Sequence, residues 1–174
     1  KPDRRQRQMC IRDSDKLDWI NSQHIQLMSD QVLREIIASQ MEVSVEQSIL
    51  ITKMIKPRLQ KLSGLKDSYR YLLKNPSLDY TVLSKIQNNE TKENLSVAVA
   101  FFKEQGVVDK TSLKDVFFEH LSSSNIKPGK ILPAIRIALV GRLEGPDLFE
   151  LISFFGSKEV TKRLLNFCLL YTSD

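Results

Sequence analysis

From Ser29 onward the chain is punctuated repeatedly by residues that start helices, and nowhere by a turn that joins two strands. Ser29-Asp30 precedes QVLREIIASQM, in which Val32, Leu33, Ile36 and Ile37 recur on one helical face. SVEQ at 44–47 is a capping box, the serine hydroxyl taking an amide of the first turn while the glutamine returns to the cap amide. SLKD from Ser112 has the same form. Asp15 is placed to cap DKLDWINSQHIQL, with Leu17, Ile20 and Leu27 near one stripe, and Thr91 to cap KENLSVAVAFFKEQ. No Asn-Gly or Gly-rich dipeptide separates alternating β-branched runs. The pattern predicts an all-α fold of nine or ten short helices.

The breaks are as informative as the starts. Pro57 lies inside an apolar-periodic segment holding Ile51, Met54, Ile55, Leu59 and Leu62, and must kink or split it. Short helices are expected at LKDSYRYLLK, between Ser63-Gly64 and Asn75-Pro76, and at YTVLSKIQ; Gly106 is expected as a C′ residue. In ALVGRLEGPDLFELISFFG (138–156) two apolar runs flank a corner. Gly141 is expected to end one helix in the left-handed conformation, and Pro146 to stand at the first position of the next. Read alone, this is a helix–helix corner. The expected core includes Leu50, Ile51, Met54, Val99, Phe102, Phe117, Leu139, Leu148, Phe149 and Ile152, with Trp19 as an anchor. A boundary between two helical subdomains is placed near Ser63-Gly64 or near 122–129, SSSNIKPG.

Charge and composition narrow the function classes. The net charge is +5, but residues 1–14 hold Lys1, Arg4, Arg5, Arg7 and Arg12 against Asp3 and Asp13, leaving +2 for the rest. Nucleic-acid binding must therefore rest on local patches. No apolar run approaches the length of a membrane span, and no apolar stretch follows the basic N-terminus as in a signal peptide; the expected compartment is the cytoplasm. QMCIRDS (8–14) and CLLYTSD (168–174) resemble peptides translated from sequencing-adapter DNA. Residues 1–13 and 168–174 are accordingly expected as non-native tails, with few packed contacts in 1–13 and 169–174, the alternative being a basic arm. Both cysteines fall in these end segments, and no His/Cys cluster predicts a metal. His24 and His120 have no evident orienting partner, and no nucleophile elbow, zincin, P-loop or dinucleotide motif occurs; no catalytic residue is assigned.

DKLDWIN (15–21), MIKPRLQKL (54–62), PAIRIALVGRLEGPDLFELISFFG (133–156) and SKEVTKRL (157–164) occur in an order that resembles the C-terminal half of bacterial-type glutamyl-tRNA synthetases, class I enzymes. The likeness spans about residues 14–167, with little signature in 65–125. It implies an ATP- and Mg-dependent glutamate–tRNA ligase whose catalytic half lies upstream; neither ATP motif is in this chain, and no cofactor belongs to it. It implies residues 14–28 as the end of a stem-contact region, and 29–125 and 126–167 as two anticodon-binding helical subdomains. The implied partner is tRNA-Glu, bound by a monomer. By residue match, Gly145, Pro146 and Leu148 take positions that contact the anticodon loop. Some relatives carry a hydroxyl residue in place of Gly145, and such a side-chain hydrogen bond is absent here. Arg58 takes the position that reads the third anticodon base, a cytosine, whose N3 and O2 suit a guanidinium fork. Lys16 and Asn21 are implied as tRNA stem or backbone contacts. Two alternatives stay open: a helical protein-interaction module, and a non-discriminating synthetase that also charges tRNA-Gln.

Overall fold

The structure, a computed structural model, describes the backbone of residues 4–78, 88–104 and 110–170 and the side chains of 16–78, 88–104 and 112–169. Among these residues every regular element is helical. The chain divides into two compact units, Lys1–Tyr69 and Arg70–Asp174.

The first unit holds α1 (Arg4–Leu27), α2 (Asp30–Met41), α3 (Val45–Ile55), a 3₁₀ turn at Lys56–Arg58 and α4 (Leu65–Ser68). Ser29 caps α2 through Val32 N, and Ser44 and Gln47 form the expected box at the start of α3. α2 ends with Glu42 in the left-handed conformation (φ 56°), where the sequence offers no glycine, and its carboxylate pairs with Lys66 at 2.6 Å. Pro57 splits the long segment as expected, leaving α3 to end at Ile55. α2 packs on α3 and α4, burying Leu33, Ile37, Met41, Ile51, Ile55 and Leu65.

Three expectations for this unit fail. Leu50 is 53% exposed. The buried arc of α3 runs through Ser48, Ile51, Thr52, Met54 and Ile55, and Leu50 lies just beyond it. The two hydroxyls occupy core positions by bonding back to Val45 O and Ser48 O. Trp19 is 65% exposed, and Leu17, Ile20 and Leu27 also face solvent; among its described side chains α1 contributes only Ile25 to the buried set. Asp15 does not begin a helix, because α1 already runs from Arg4 through a stretch without proline or glycine.

The second unit opens with a 3₁₀ turn at Arg70–Leu72 and continues with α5 (Asn89–Glu104), α6 (Lys110–Ser123), α7 (Pro128–Val140) and α8 (Leu148–Leu170), the last broken at Gly156 (φ 72°, ψ 160°). α5, α6 and α7 all pack on α8. Helices from both sides of residue 125 thus share this unit, and the division falls at Tyr69–Arg70. Phe101, Phe102 and Phe117 cluster with centroids 5.0–5.3 Å apart, Phe102 stacked on Phe117 and Phe101 edge-on to Phe102, and Phe149 meets Phe117 at 6.2 Å. Each such ring contributes about 1.5–3 kcal/mol by leaving water. Ile51, Met54, Val99, Phe102, Phe117, Leu139, Leu148, Phe149 and Ile152 are buried, as expected.

Two caps differ from expectation here. Asn88, not Thr91, caps α5: its side chain accepts from Thr91 N at 2.7 Å, and Thr91 is buried. Ser112 lies within the first turn of α6, since the helix starts at Lys110. The expected helix at 80–87 and the Gly106 stop lie outside the described residues. So do the side chains of 1–15 and 170–174; Phe167 is buried and Cys168 half-buried on α8, with burial raising the Cys168 thiol pKa.

Candidate nucleic-acid interface

The corner between α7 and α8 is built from two constraints. Gly141 adopts φ 84°, ψ −3°, and its N–H donates to Ile137 O at 2.8 Å, closing α7 as expected. A Cβ at this position would stand 2.7 Å from Ser77 O and 3.1 Å from Pro76 Cβ, so both conformation and space require glycine. Gly145 has φ 153°, yet a Cβ there would make only ordinary contacts, the nearest 3.5 Å from Val140 Cγ1. At Gly145 it is conformation alone that requires glycine.

α8 starts at Leu148, and the Asp147 carboxylate accepts from Phe149 N at 3.0 Å and Glu150 N at 3.1 Å. Asp147 is therefore the cap, and Pro146 stands before it rather than at the first helical position. A carboxylate at the positive end of a helix outcompetes the mere tolerance of proline there. The Pro146 carbonyl accepts from Arg136 Nη1 at 2.6 Å, which ties the corner to α7.

Of the residues expected to contact RNA here, Gly145 is half-exposed, whereas Pro146 and Leu148 are buried. The side chains presented to solvent are Arg142, Leu143, Glu144 and the capping Asp147. Leu143 is 54% exposed, and the Arg142 guanidinium lies 5.7 Å from the Tyr71 ring centroid. Sequence reasoning missed these two, although Leu143 is the apolar residue of the corner that neither flanking helix can claim.

Arg58 belongs to the first unit. The 3₁₀ turn that carries it is clamped through Lys56, whose Nζ donates to Met28 O at 2.8 Å and Asp30 Oδ1 at 2.6 Å, while Lys56 O accepts from Gln26 Nε2. The Lys56 hydrogen bond and charge hold the Asp30 carboxyl below the usual carboxylate range. Leu59 is buried directly after the turn. Arg58 itself is exposed and ends the turn as a cation with an anchored backbone. Lys16 and Asn21 are both exposed on α1. Five residues apart on a helix, they point about 140° from each other and do not share a face. The structure thus puts Arg58, Lys16 and Asn21 in one unit, and Gly145, Pro146 and Leu148 in the other.

Among the described residues no three His, Cys, Asp or Glu side chains converge on a metal position, and no helix is long and apolar enough to cross a membrane. His24 is exposed on α1, and the His120 ring packs 5.0 Å from Phe101.

Known proteins carry the same pattern. Residues 18–168 match a family model described as an anticodon binding domain. The chain is 30% identical over 163 residues to the glutamate–tRNA ligase of Deinococcus radiodurans, covering 86% of this chain and 33% of that protein. It is 28% identical over 163 residues to the glutamate–tRNA ligase of Prochlorococcus marinus strain MIT 9312, covering 89% and 34%. The chain therefore spans about a third of the length of the curated relatives it matches. Its fold matches the crystal structure of a glutamate tRNA ligase from Elizabethkingia meningosepticum with a TM-score of 0.75 at 23% identity, covering 87% of this chain and 31% of that one. A glutamate-tRNA synthetase structure from Elizabethkingia anophelis gives a TM-score of 0.69. With the model match running from α1 to the last turns of α8, over helices that fold as those of the solved ligases do, this chain belongs to the anticodon-binding-domain family.

Proposed function

We propose that the chain reads the anticodon of tRNA-Glu as part of a glutamate–tRNA ligase. The observation that carries this reading is the exposed Arg58 guanidinium on a turn held by Lys56, within a chain of the anticodon-binding family. A clamped backbone with an outward arginine suits a splayed cytosine, whose N3 and O2 accept from a planar donor fork. The corner at 141–147 supplies the second element. Leu143 offers an apolar surface for a base face, and the half-exposed backbone at Gly145 offers polar groups to a base edge. Pro146 and Leu148 then act from below, as the buried floor of that corner. Lys16 and Asn21, facing different ways, serve as separate backbone contacts in this reading.

ATP, Mg and glutamate are handled by the remainder of the enzyme, and this chain alone is inactive in aminoacylation. It works as a monomer in the cytoplasm. A second reading, a protein-interaction module, is favoured by the solvent-facing Leu17, Ile20 and Leu27 on α1. Filter binding of tRNA-Glu and an unrelated tRNA at two salt concentrations separates the two. Anticodon recognition predicts a preference for tRNA-Glu with a moderate salt slope, and the module predicts none.

A further inference from the structure

We propose that Arg163 on α8 is a positioning residue for the RNA-contacting corner, an inference that rests on the reading of 141–147 as that corner. Its side chain is 3% exposed, an unusual burial for a guanidinium. Nη1 donates to Tyr71 O at 2.7 Å and to Leu139 O at 3.0 Å, Nη2 to Lys74 O at 3.3 Å, and Nε to Glu159 Oε1 at 2.8 Å. The guanidinium also lies 3.9 Å from the Phe155 ring centroid.

The acceptors explain the role. Leu139 O is one of the last carbonyls of α7, left without a partner by the end of the helix at Gly141. Tyr71 O lies within the 3₁₀ turn Arg70–Leu72 and Lys74 O two residues beyond it. One cation therefore caps two chain ends, where a positive charge also meets the negative pole of α7. The segment so held at Tyr71 and Lys74 leads directly to Ser77, whose carbonyl approaches Gly141, and Tyr71 carries the ring beside which Arg142 lies. Arg163 thus joins the segment under the corner to the helix that leads into it. A planar fork reaches these carbonyls and Glu159 together, and a lysine ammonium on a single stem does not.

The test uses the full 174-residue chain and labelled anticodon stem-loops of tRNA-Glu, native and with single anticodon bases replaced. Arg163→Lys, at a temperature where circular dichroism shows it folded, is expected to bind the native stem-loop about tenfold more weakly, the size of one lost base contact. Its preference over the replaced stem-loops narrows, and its salt slope stays that of the wild type. A buried arginine with a structural role alone would lower the melting temperature and leave that preference intact, which overturns the proposal. If Arg163→Lys does not fold, Glu159→Gln takes its place: it keeps the guanidinium but removes its carboxylate partner, and the same narrowing is expected. Unchanged preference in folded Glu159→Gln again overturns the proposal. Absence of any preference in the wild type refutes the functional reading instead. Positioning is then read from amide exchange at Gly141, expected to be about tenfold faster in the folded variant and, if unchanged, ending the proposal.

Discussion

Replacing Gly141 by alanine tests whether the corner is built as described. Alanine at φ 84° carries the left-handed penalty of about 1–2 kcal/mol. The new Cβ also stands 2.7 Å from Ser77 O, a backbone atom that cannot rotate away. Forcing that contact apart costs about 1–3 kcal/mol more, as overpacking does elsewhere. The expected loss is therefore about 2–5 kcal/mol. Gly64 provides the control, because it has φ 73° and no heavy atom within 4 Å of a built Cβ. Gly64→Ala should lose only the conformational part, about 1–2 kcal/mol. Urea unfolding followed by circular dichroism measures both. Equal losses in the two variants would refute the close approach of residue 77 to the corner.

Glu42→Gly should raise stability by up to about 1 kcal/mol in the same assay, since glycine relieves the left-handed backbone at φ 56° while the exposed pair with Lys66 contributes little. The Asp30 carboxyl is lowered chiefly by its hydrogen bond to Lys56, and that of Glu46 by its own backbone amide at the start of α3. Both are depressed in the folded state, so the stability they contribute is present above the ordinary carboxylate range and is lost as pH falls through the lowered values. Acid titration of the Asp30→Asn, Glu46→Gln double variant should accordingly show a shallower loss below about pH 4 than the wild type. Cys168, whose thiol pKa burial raises, should react with iodoacetamide more slowly at neutral pH than a free cysteine does.

Where sequence and structure agree, the signal was a local restriction on the backbone. Pro57 cannot continue α3, and Gly141 is the residue that tolerates the left-handed end of α7. Where they disagree, neighbouring residues competed for one role. Asn88 stands three residues before Thr91 and Asp147 directly after Pro146, and the better side-chain acceptor became the cap in each case. Burial of Trp19 and Leu50 could not be read from period alone, because it depends on which face meets another helix. At the candidate site Arg58 was legible only through its family pattern, its exposure following from the break at Pro57. Arg163 was not legible at all: its acceptors include Tyr71 O, 92 residues away, and no short-range pattern marks such a partner.

The most direct test of anticodon reading compares wild type and Arg58→Gln on two tRNA-Glu anticodon stem-loops that differ only in cytosine or guanine at the third anticodon position. The wild-type chain should prefer cytosine. The variant should lose about 5- to 150-fold in affinity for the cytosine stem-loop, the equivalent of about 1–3 kcal/mol for a charged fork on a base edge, and the gap between the two RNAs should narrow. A phosphate contact would weaken both RNAs alike and reduce the salt slope by about one unit. Equal weakening with the preference intact would contradict the assignment of Arg58 to that base.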